Sequence, residues 1–274
     1  MPEIAEVRTV ARTLNERLVG KKIIGIDVIY DKIIDDDLKH FKEAVVGKHI
    51  LSVDNYGKWL FISLGEYTIM SHLRMEGKYF IKPESDAIEK HEHIIFHLDD
   101  GNTLRYHDTR KFGRMRIVKT DEIYKTPEIS KLGIEPDNKA LTGEYLYNMV
   151  KDSNLPIKTL LLDQSIINGL GNIYVNEVLF AANVHPETIG KKITLNDAKK
   201  MVEASKIIIA KATEMGGTTI RSYTSSLGVY GSYQSELKVQ SRDNEKCLVC
   251  GSDIEKIRVG GRGTYFCPKC QKKK

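Results

Sequence analysis

The residues of this chain that could do chemistry gather at its two ends. Cys247, Cys250, Cys267 and Cys270 are its only thiols. They form Cys-x2-Cys, sixteen intervening residues, then a second Cys-x2-Cys. Two short loops of this kind present four thiolates to one tetrahedral zinc ion. The alternative, a redox or disulfide pair, is disfavoured where thiols are kept reduced. Four thiolates leave no open coordination position, so this zinc is expected to fold the tail and not to react. At the other end stand Pro2, Glu3 and Glu6. Without the initiator Met, Pro2 carries a terminal secondary amine. Terminal amines titrate at about 7.7–8.0, which leaves a neutral fraction at pH 7. A neutral amine can attack an electrophilic carbon and form a Schiff base, with Glu3 as acid or base. The alternative is ordinary helix-start chemistry, in which Pro and Glu occupy a first turn.

Between these ends lie four further constellations. In the tail, Arg262 is flanked by Gly260, Gly261 and Gly263, with Lys256, Arg258, Lys269 and Lys272 to Lys274 nearby. Glycine lets backbone approach a ligand, and a guanidinium fork fits a phosphate, so this reads as a finger on a DNA backbone or as an exposed basic turn. In SIINGLGNIY, Gly169 and Gly171 precede Asn172 at a helix start, where free N–H groups favour an anion; Lys158 upstream could add a charge. The alternative is a corner that needs glycine for packing only. SHLRMEGKY carries His72, Arg74 and Met75, and YHDTRKFGR carries Arg110 and Phe112. An apolar wedge beside cations fills the gap left by an everted base; equally, Met75 and Phe112 could be core residues. His91 and His93 in HEHIIFH alternate on one strand face, as a metal pair or as a DNA-facing strand.

The elements that must position these groups follow from apolar spacing. Ile4, Val7, Ala11, Leu14 and Leu18 recur at helical intervals, with Gly20 as a C-cap. IIGIDVIYDKII, HILSVDNY, WLFISL, YTIMSHLRM and GRMRIVK read as strands, and IIFHLDDGNTLRYH as a hairpin turning at Asp100-Gly101-Asn102. Residues 1–130 thus form a helix and a mostly antiparallel sandwich or flattened barrel. The segments after residue 131 read as helices, with Thr194 as N-cap of one that carries Asp197 in its first turn. A long loop runs from Gly216 to about Asp243, and the chain ends in a zinc-stapled hairpin. The expected fold class is α+β in three parts: a β-sandwich domain over 1–130, a helical domain with a functional loop over 131–235, and a zinc finger over 236–274.

Composition narrows the function classes. With 274 residues, 41% hydrophobic and 29% charged, the chain can bury real cores, which excludes disordered and low-complexity classes. No apolar run approaches the roughly 18 residues of a membrane span. The start, MPEIAEV, lacks the basic and apolar regions of a signal peptide, so a cytoplasmic protein is expected. A formal charge of +5 is compatible with a nucleic-acid partner. No heptad repeat suggests an oligomer, so a monomer is expected.

Taken in order, MPEIAEV, YGKWL, SHLRMEGKY, HEHIIFHLDDG, YHDTRKFG, INGLGNIYVNEVLFAANVHP, GGTTIR and GRGTYFCPKCQ resemble the formamidopyrimidine-DNA glycosylase and endonuclease VIII superfamily over essentially the whole chain. GNIYVNE, HLRMEG and GRGTYFCPKCQ resemble its formamidopyrimidine branch. The resemblance implies an N-terminal β-sandwich, a helix–two-turn–helix module and a C-terminal zinc finger. It implies a base-excision repair enzyme that removes oxidised purines from duplex DNA and cleaves the strand by β,δ-elimination, associated with the nucleoid if the source is bacterial. Pro2 is then the nucleophile, Glu3 the acid/base, and Lys58 the phosphate-contacting proton donor, with Glu6 also intact. Arg262 contacts the phosphate beside the lesion. His72, His91, Lys158 and Asn172 map to DNA contacts, and Met75, Arg110 and Phe112 to the residues that fill the stack. The loop from Gly217 to Tyr233 maps to the segment that closes over the everted base. Ala5, Arg8 and Gln240 depart from the family pattern and bear on lesion preference. The alternatives are endonuclease VIII-like action on oxidised pyrimidines, and a non-catalytic zinc-finger protein that binds damaged DNA.

Overall fold

The computed structural model describes residues 1–218 and 231–274, which divide into two compact units. The first comprises residues 1–130 with 216–232; the second comprises 131–215 with 233–274.

The first unit opens with α1 (Ile4–Leu18), whose apolar stripe of Val7, Val10, Ala11, Leu14 and Leu18 is buried as its spacing predicts. The helix ends at Val19, and Gly20 follows at φ +87°, the left-handed position that glycine takes past a helix end. Two four-stranded antiparallel sheets come next. One has the order β2 (Ser52–Tyr56), β3 (Trp59–Ser63), β4 (Tyr67–His72), β8 (Arg114–Lys119). The other has the order β1 (Ile23–Val28), β6 (Glu92–Leu98), β7 (Asn102–His107), β5 (Lys78–Pro83). Alternate residues such as Ile62, Ile69, Phe96, Leu104 and Ile117 join the α1 stripe in one core. Arg105, wholly buried on β7, is held by Glu92 and by the carbonyls of Pro83, Asp86 and Ala87, which fastens the loop after β5.

Three sequence expectations need correction here, the first being that β5 was not read as a strand at all. The apolar run from Ile23 to Ile34 is not one strand: β1 ends at Val28 and Asp31–Ile33 is a 3-10 turn. Its β-branched residues mimic a strand, but Ile33 is needed in the core from a turn. The sequence reading also missed α2 (Leu38–Val45), which is capped by the Asp37 carboxylate at the His40 amide, 2.9 Å. Eight residues with only Phe41, Ala44 and Val45 buried carry too few apolar positions to show a period.

The second unit contains α3 (Gly143–Val150), α4 (Ile157–Leu161), α5 (Asn172–Ala181) and α6 (Leu195–Glu214). Thr194 caps α6 as expected, accepting from the Asp197 amide while Asp197 accepts from the Thr194 amide. The tail forms a hairpin of β9 (Glu255–Val259) and β10 (Arg262–Phe266). Gly260 and Gly261, at φ +55° and +77°, are its two turn residues, and Arg262 is the first residue of β10, not the tip itself. Most of the Gly217 to Tyr233 loop lies outside the described residues.

Candidate active site and nucleic-acid interface

In the first unit the start of α1 and the β2–β3 turn converge. Pro2, Glu3 and Glu6 are all buried. The Glu6 carboxylate accepts from the Glu3 amide at 2.9 Å with one oxygen. With the other it accepts from the Thr218 amide at 2.7 Å. It thus ties the first turn of α1 to the segment after Gly217, where a Cβ would collide with this same carboxylate. Lys58 sits in the two-residue turn between β2 and β3, whose first residue, Gly57, has φ +55°. It is 6% exposed although it stands at a hairpin turn. Burial pushes the pKa of the chain's amino group down, opposed by the charges of Glu3 and Glu6, with Lys58 adding to the lowering and Glu76 opposing it. The charges of Glu3, Glu6, Lys58 and Glu76 therefore all act on the amino terminus. Only Glu76 among them was not singled out in the sequence.

His72 ends β4 opposite Trp59, ring centroids 4.8 Å apart and edge-on. Its Nδ1 accepts from the Arg74 amide at 3.0 Å. Burial first, then the charges of Arg74 and Lys58, push its pKa down to about 3. His72 is therefore a neutral imidazole with its proton on Nε2.

Two loops carry Met75, Arg110 and Phe112, the residues expected from the sequence to fill the stack. Met75 is 38% exposed and Phe112 is 49% exposed, so neither is core, against the packing alternative. The Arg110 guanidinium lies over the Phe112 ring, 4.7 Å from its centroid. Asp108, wholly buried, holds the second loop from inside: its carboxylate accepts from the amides of Arg110 (2.9 Å), Phe112 (2.9 Å) and Gly113 (2.8 Å). Glu76 and Thr109 hydrogen-bond between the loops. A Cβ at Gly77 or Gly113 would strike the Tyr106 hydroxyl, so both loops require glycine to lie this close. Arg74, His91 and Lys111 all have left-handed backbones, at φ +52°, +75° and +57°. Non-glycine residues rarely adopt this region, and such strain clusters at functional loops. His91 lies 6.2 Å from His93 and 5.8 Å from His107 between ring centroids. Among the described residues these histidines are not part of a group of metal-ligating atoms. Arg8, with Arg12, Asn15, Asp54 and Asn55, lines a cleft of about 480 Å³ beside α1.

The second unit gathers Lys158, Asn172 and the root of Arg262. Lys158, read from sequence as a charge for DNA, is wholly buried. Its ammonium donates to Asn176 Oδ1 (2.9 Å), Gly263 O (2.9 Å) and Thr264 Oγ1 (2.7 Å). Asn172, at the first turn of α5, also donates to Gly263 O, at 3.1 Å. Both side chains thus grip the backbone next to Arg262, which is itself exposed. Glu177, on the same helix and buried, accepts from the amides of Lys238, Val239 and Gln240 at 2.8–3.0 Å. Gln240 in turn accepts from Asn176 at 2.7 Å. Asn176, Glu177 and Asp108 were missed in the sequence because their partners are backbone groups or lie far along the chain. The polar positions inside the otherwise apolar NIYVNEVLF helix were the available signal.

The four cysteine sulfurs lie within 4.8 Å of one another. Cys250 and Cys267 are 3.4 Å apart, and Cys247 and Cys270 are 4.0 Å apart. Tetrahedral zinc with Zn–S of about 2.3 Å sets sulfurs about 3.8 Å apart, so the cluster fits one structural zinc ion. Packing of Cys247 and Cys267 against Phe180, Val239 and Ile254 couples that ion to the fold of the tail.

Comparison with known proteins agrees along the chain. Residues 1–115 match the formamidopyrimidine-DNA glycosylase N-terminal domain, residues 132–224 its H2TH domain, and residues 244–273 the zinc finger found in FPG and IleRS. The formamidopyrimidine-DNA glycosylase of Ligilactobacillus salivarius is 45% identical over 272 residues, covering 99% of both chains. That of Oceanobacillus iheyensis is 44% identical over 276 residues, covering 100% of this chain and 99% of its own. Among solved structures, a Lactococcus lactis FPG point mutant in complex with DNA containing Fapy-dG superposes with TM-score 0.95 at 38% identity, covering 99% of this chain and 100% of its own. The Lactococcus lactis Fpg with abasic-site DNA gives TM-score 0.94 at 38% identity and the same coverage. With near-complete coverage by these relatives and a matching domain in each third of the sequence, the chain belongs to the formamidopyrimidine-DNA glycosylase family.

Proposed function

We propose that this chain is a bifunctional DNA glycosylase and AP lyase for oxidised purines, with Pro2 as its nucleophile. The observation that carries the reading is a buried Pro2 at an amino terminus whose ionisation responds to the charges of Glu3, Glu6, Lys58 and Glu76. Removal of Met1 leaves the secondary amine on Pro2, whose burial favours its neutral, nucleophilic form. The Pro2 nitrogen attacks C1′ of the damaged nucleotide; the C1′–N bond breaks, and the base leaves with a proton from the site. Opening of the sugar ring gives an iminium between Pro2 and C1′. Loss of a C2′ proton expels the 3′ phosphate, and a second elimination expels the 5′ phosphate. Glu3 exchanges protons with the sugar, and Lys58 contacts the phosphate and supplies a proton. Glu6 acts at one remove, by fixing the first turn of α1.

The partner is double-stranded DNA carrying an oxidised base. Met75, Arg110 and Phe112 fill the stack once the base is everted, which costs a few kcal/mol per unstacked step and least at a damaged pair. His72 and His91 contact the backbone, His72 as a neutral donor. Arg262 grips the phosphate beside the lesion. Lys158 and Asn172 support that grip by holding Gly263. We take the working form to be a monomer with its β-sandwich, helical and zinc-finger parts over residues 1–130, 131–235 and 236–274. A four-thiolate zinc site suits the reducing cytoplasm. Among the described residues, no helix is long and apolar enough to cross a membrane.

Borohydride trapping on an 8-oxoguanine:cytosine duplex tests the reading. Wild type forms a covalent complex, whereas Pro2→Gly and Glu3→Gln do not. Trapping on thymine glycol:adenine in place of 8-oxoguanine would favour the pyrimidine alternative. Tight zinc-dependent binding without trapping on any lesion would leave only a damage-binding protein.

A further inference from the structure

Lys111 stands between Arg110 and Phe112, yet its side chain does something different. Arg110 lies over the Phe112 ring, whereas the Lys111 ammonium lies over Tyr30, 4.4 Å from that ring's centroid. The left-handed backbone at Lys111 accompanies this divergence, and an exposed lysine adopts it against its own preference. Tyr30 is a fixed platform. Its amide and that of Ile29 donate to the His93 carbonyl at 3.3 and 2.9 Å, and its ring packs on the core. The Tyr30 and His93 rings are 5.6 Å apart. His93 is the extra residue of a bulge in β6, where Glu92 pairs with His107 and Ile94 with Tyr106. The bulge brings His93 Nε2 to the Asp108 carbonyl, 2.9 Å away, so Nε2 carries the proton and donates. The root of the loop, Asp108, and its crest, Lys111, are therefore tied to one aromatic platform.

We propose that Tyr30 and Lys111 form a latch that holds Arg110 and Phe112 outward as a preformed wedge, which makes both of them positioning residues for base eversion. The proposal rests on the repair reading above. An exposed aromatic on an unlatched loop would sample conformations that fill no gap, and that ordering would have to occur on DNA.

The test uses the full-length zinc-loaded enzyme. Tyr30→Leu and Lys111→Met each lower kcat/KM on an 8-oxoguanine:cytosine duplex by about two- to fivefold, the range of an exposed cation–π contact. The fluorescence rise of 2-aminopurine placed beside the lesion falls in parallel. Tyr30→Phe and Lys111→Arg, which keep the ring face and the charge, restore both readouts. Cleavage of a single-stranded abasic oligonucleotide, which has no stack to fill, does not change. In a Phe112→Ala background neither substitution has any further effect. Losses that persist in that background, equal losses on the single strand, or a Tyr30→Phe as impaired as Tyr30→Leu would each overturn the latch. A wild type inert on both substrates would instead remove the repair reading itself, and the latch with it.

Discussion

Replacing Asp108 by Asn separates the wedge loop from the fold that carries it. The wild-type carboxylate accepts three backbone N–H bonds at 2.8–2.9 Å from a wholly buried position. Asn offers one oxygen. Its better orientation keeps the Phe112 and Gly113 bonds, now between neutral groups, and turns an amide nitrogen toward the Arg110 N–H. One charge-assisted bond is lost and two are weakened, so the loop loses about 2–3 kcal/mol of local stability. Asp108→Ala removes all three and loses more, up to about 4–5 kcal/mol before the loop opens to water instead. Amide hydrogen exchange measures this directly. In Asp108→Asn, Phe112 and Gly113 should exchange about 30- to 150-fold faster, because every 1.4 kcal/mol is about tenfold. Excision from duplex should fall more than cleavage of a single-stranded abasic site, since only the duplex needs the wedge. Wild-type exchange rates at these two amides, or equal losses on both substrates, would refute the reasoning.

Three further outcomes follow from the same contacts. Removing the zinc with a mercurial should release one equivalent per chain, measured with a colorimetric chelator, and abolish duplex binding, because structural zinc supplies on the order of 10 kcal/mol to such a tail; full duplex affinity after release would contradict this. His72 stays neutral in the fold down to about pH 3 but is protonated near 6.5 when unfolded. The unfolded chain then binds the extra proton between these values, so the His72 contribution to stability falls as pH drops below 6.5. Urea titrations at several pH values should show a shallower acid loss in His72→Asn, whose side-chain oxygen replaces the Nδ1 acceptor, and an identical slope would sink the assignment. Lys158→Met leaves Asn176 and Gly263 short of a donor, and should lose about 2–4 kcal/mol of stability while the salt dependence of DNA binding keeps its slope. Arg262→Ala, by contrast, should lower that slope by about one unit. A slope change in Lys158→Met would put its ammonium on a phosphate after all.

Local pattern accounts for the parts of this protein that can be read without coordinates. The α1 stripe, the Asp100-Gly101-Asn102 hairpin, the Thr194–Asp197 cap and the Cys-x2-Cys pairs are each decided by residues within a few positions of one another, where spacing alone selects the geometry. Chemistry at the amino terminus was legible only as a possibility, because Pro and Glu begin ordinary helices too. What supports the catalytic reading is the burial of Pro2 and Glu3 and the charge of Lys58, more than fifty residues away, acting on the amino terminus. The same holds for Lys158. Its charge reads as a DNA contact, and only the fold shows it sealed beneath Gly263 and Thr264, over a hundred positions later. Met75 and Phe112 reverse that lesson, since apolar side chains on strand ends read as core until two glycine-dependent loops lift them into solvent. Sequence by itself therefore determined the elements, the zinc ligands and the set of candidate groups, because those depend on short-range geometry. Tertiary structure alone decided which candidates are exposed and which are buried bracing another residue, because a group's burial and hydrogen-bond partners depend on distant segments that no local pattern encodes.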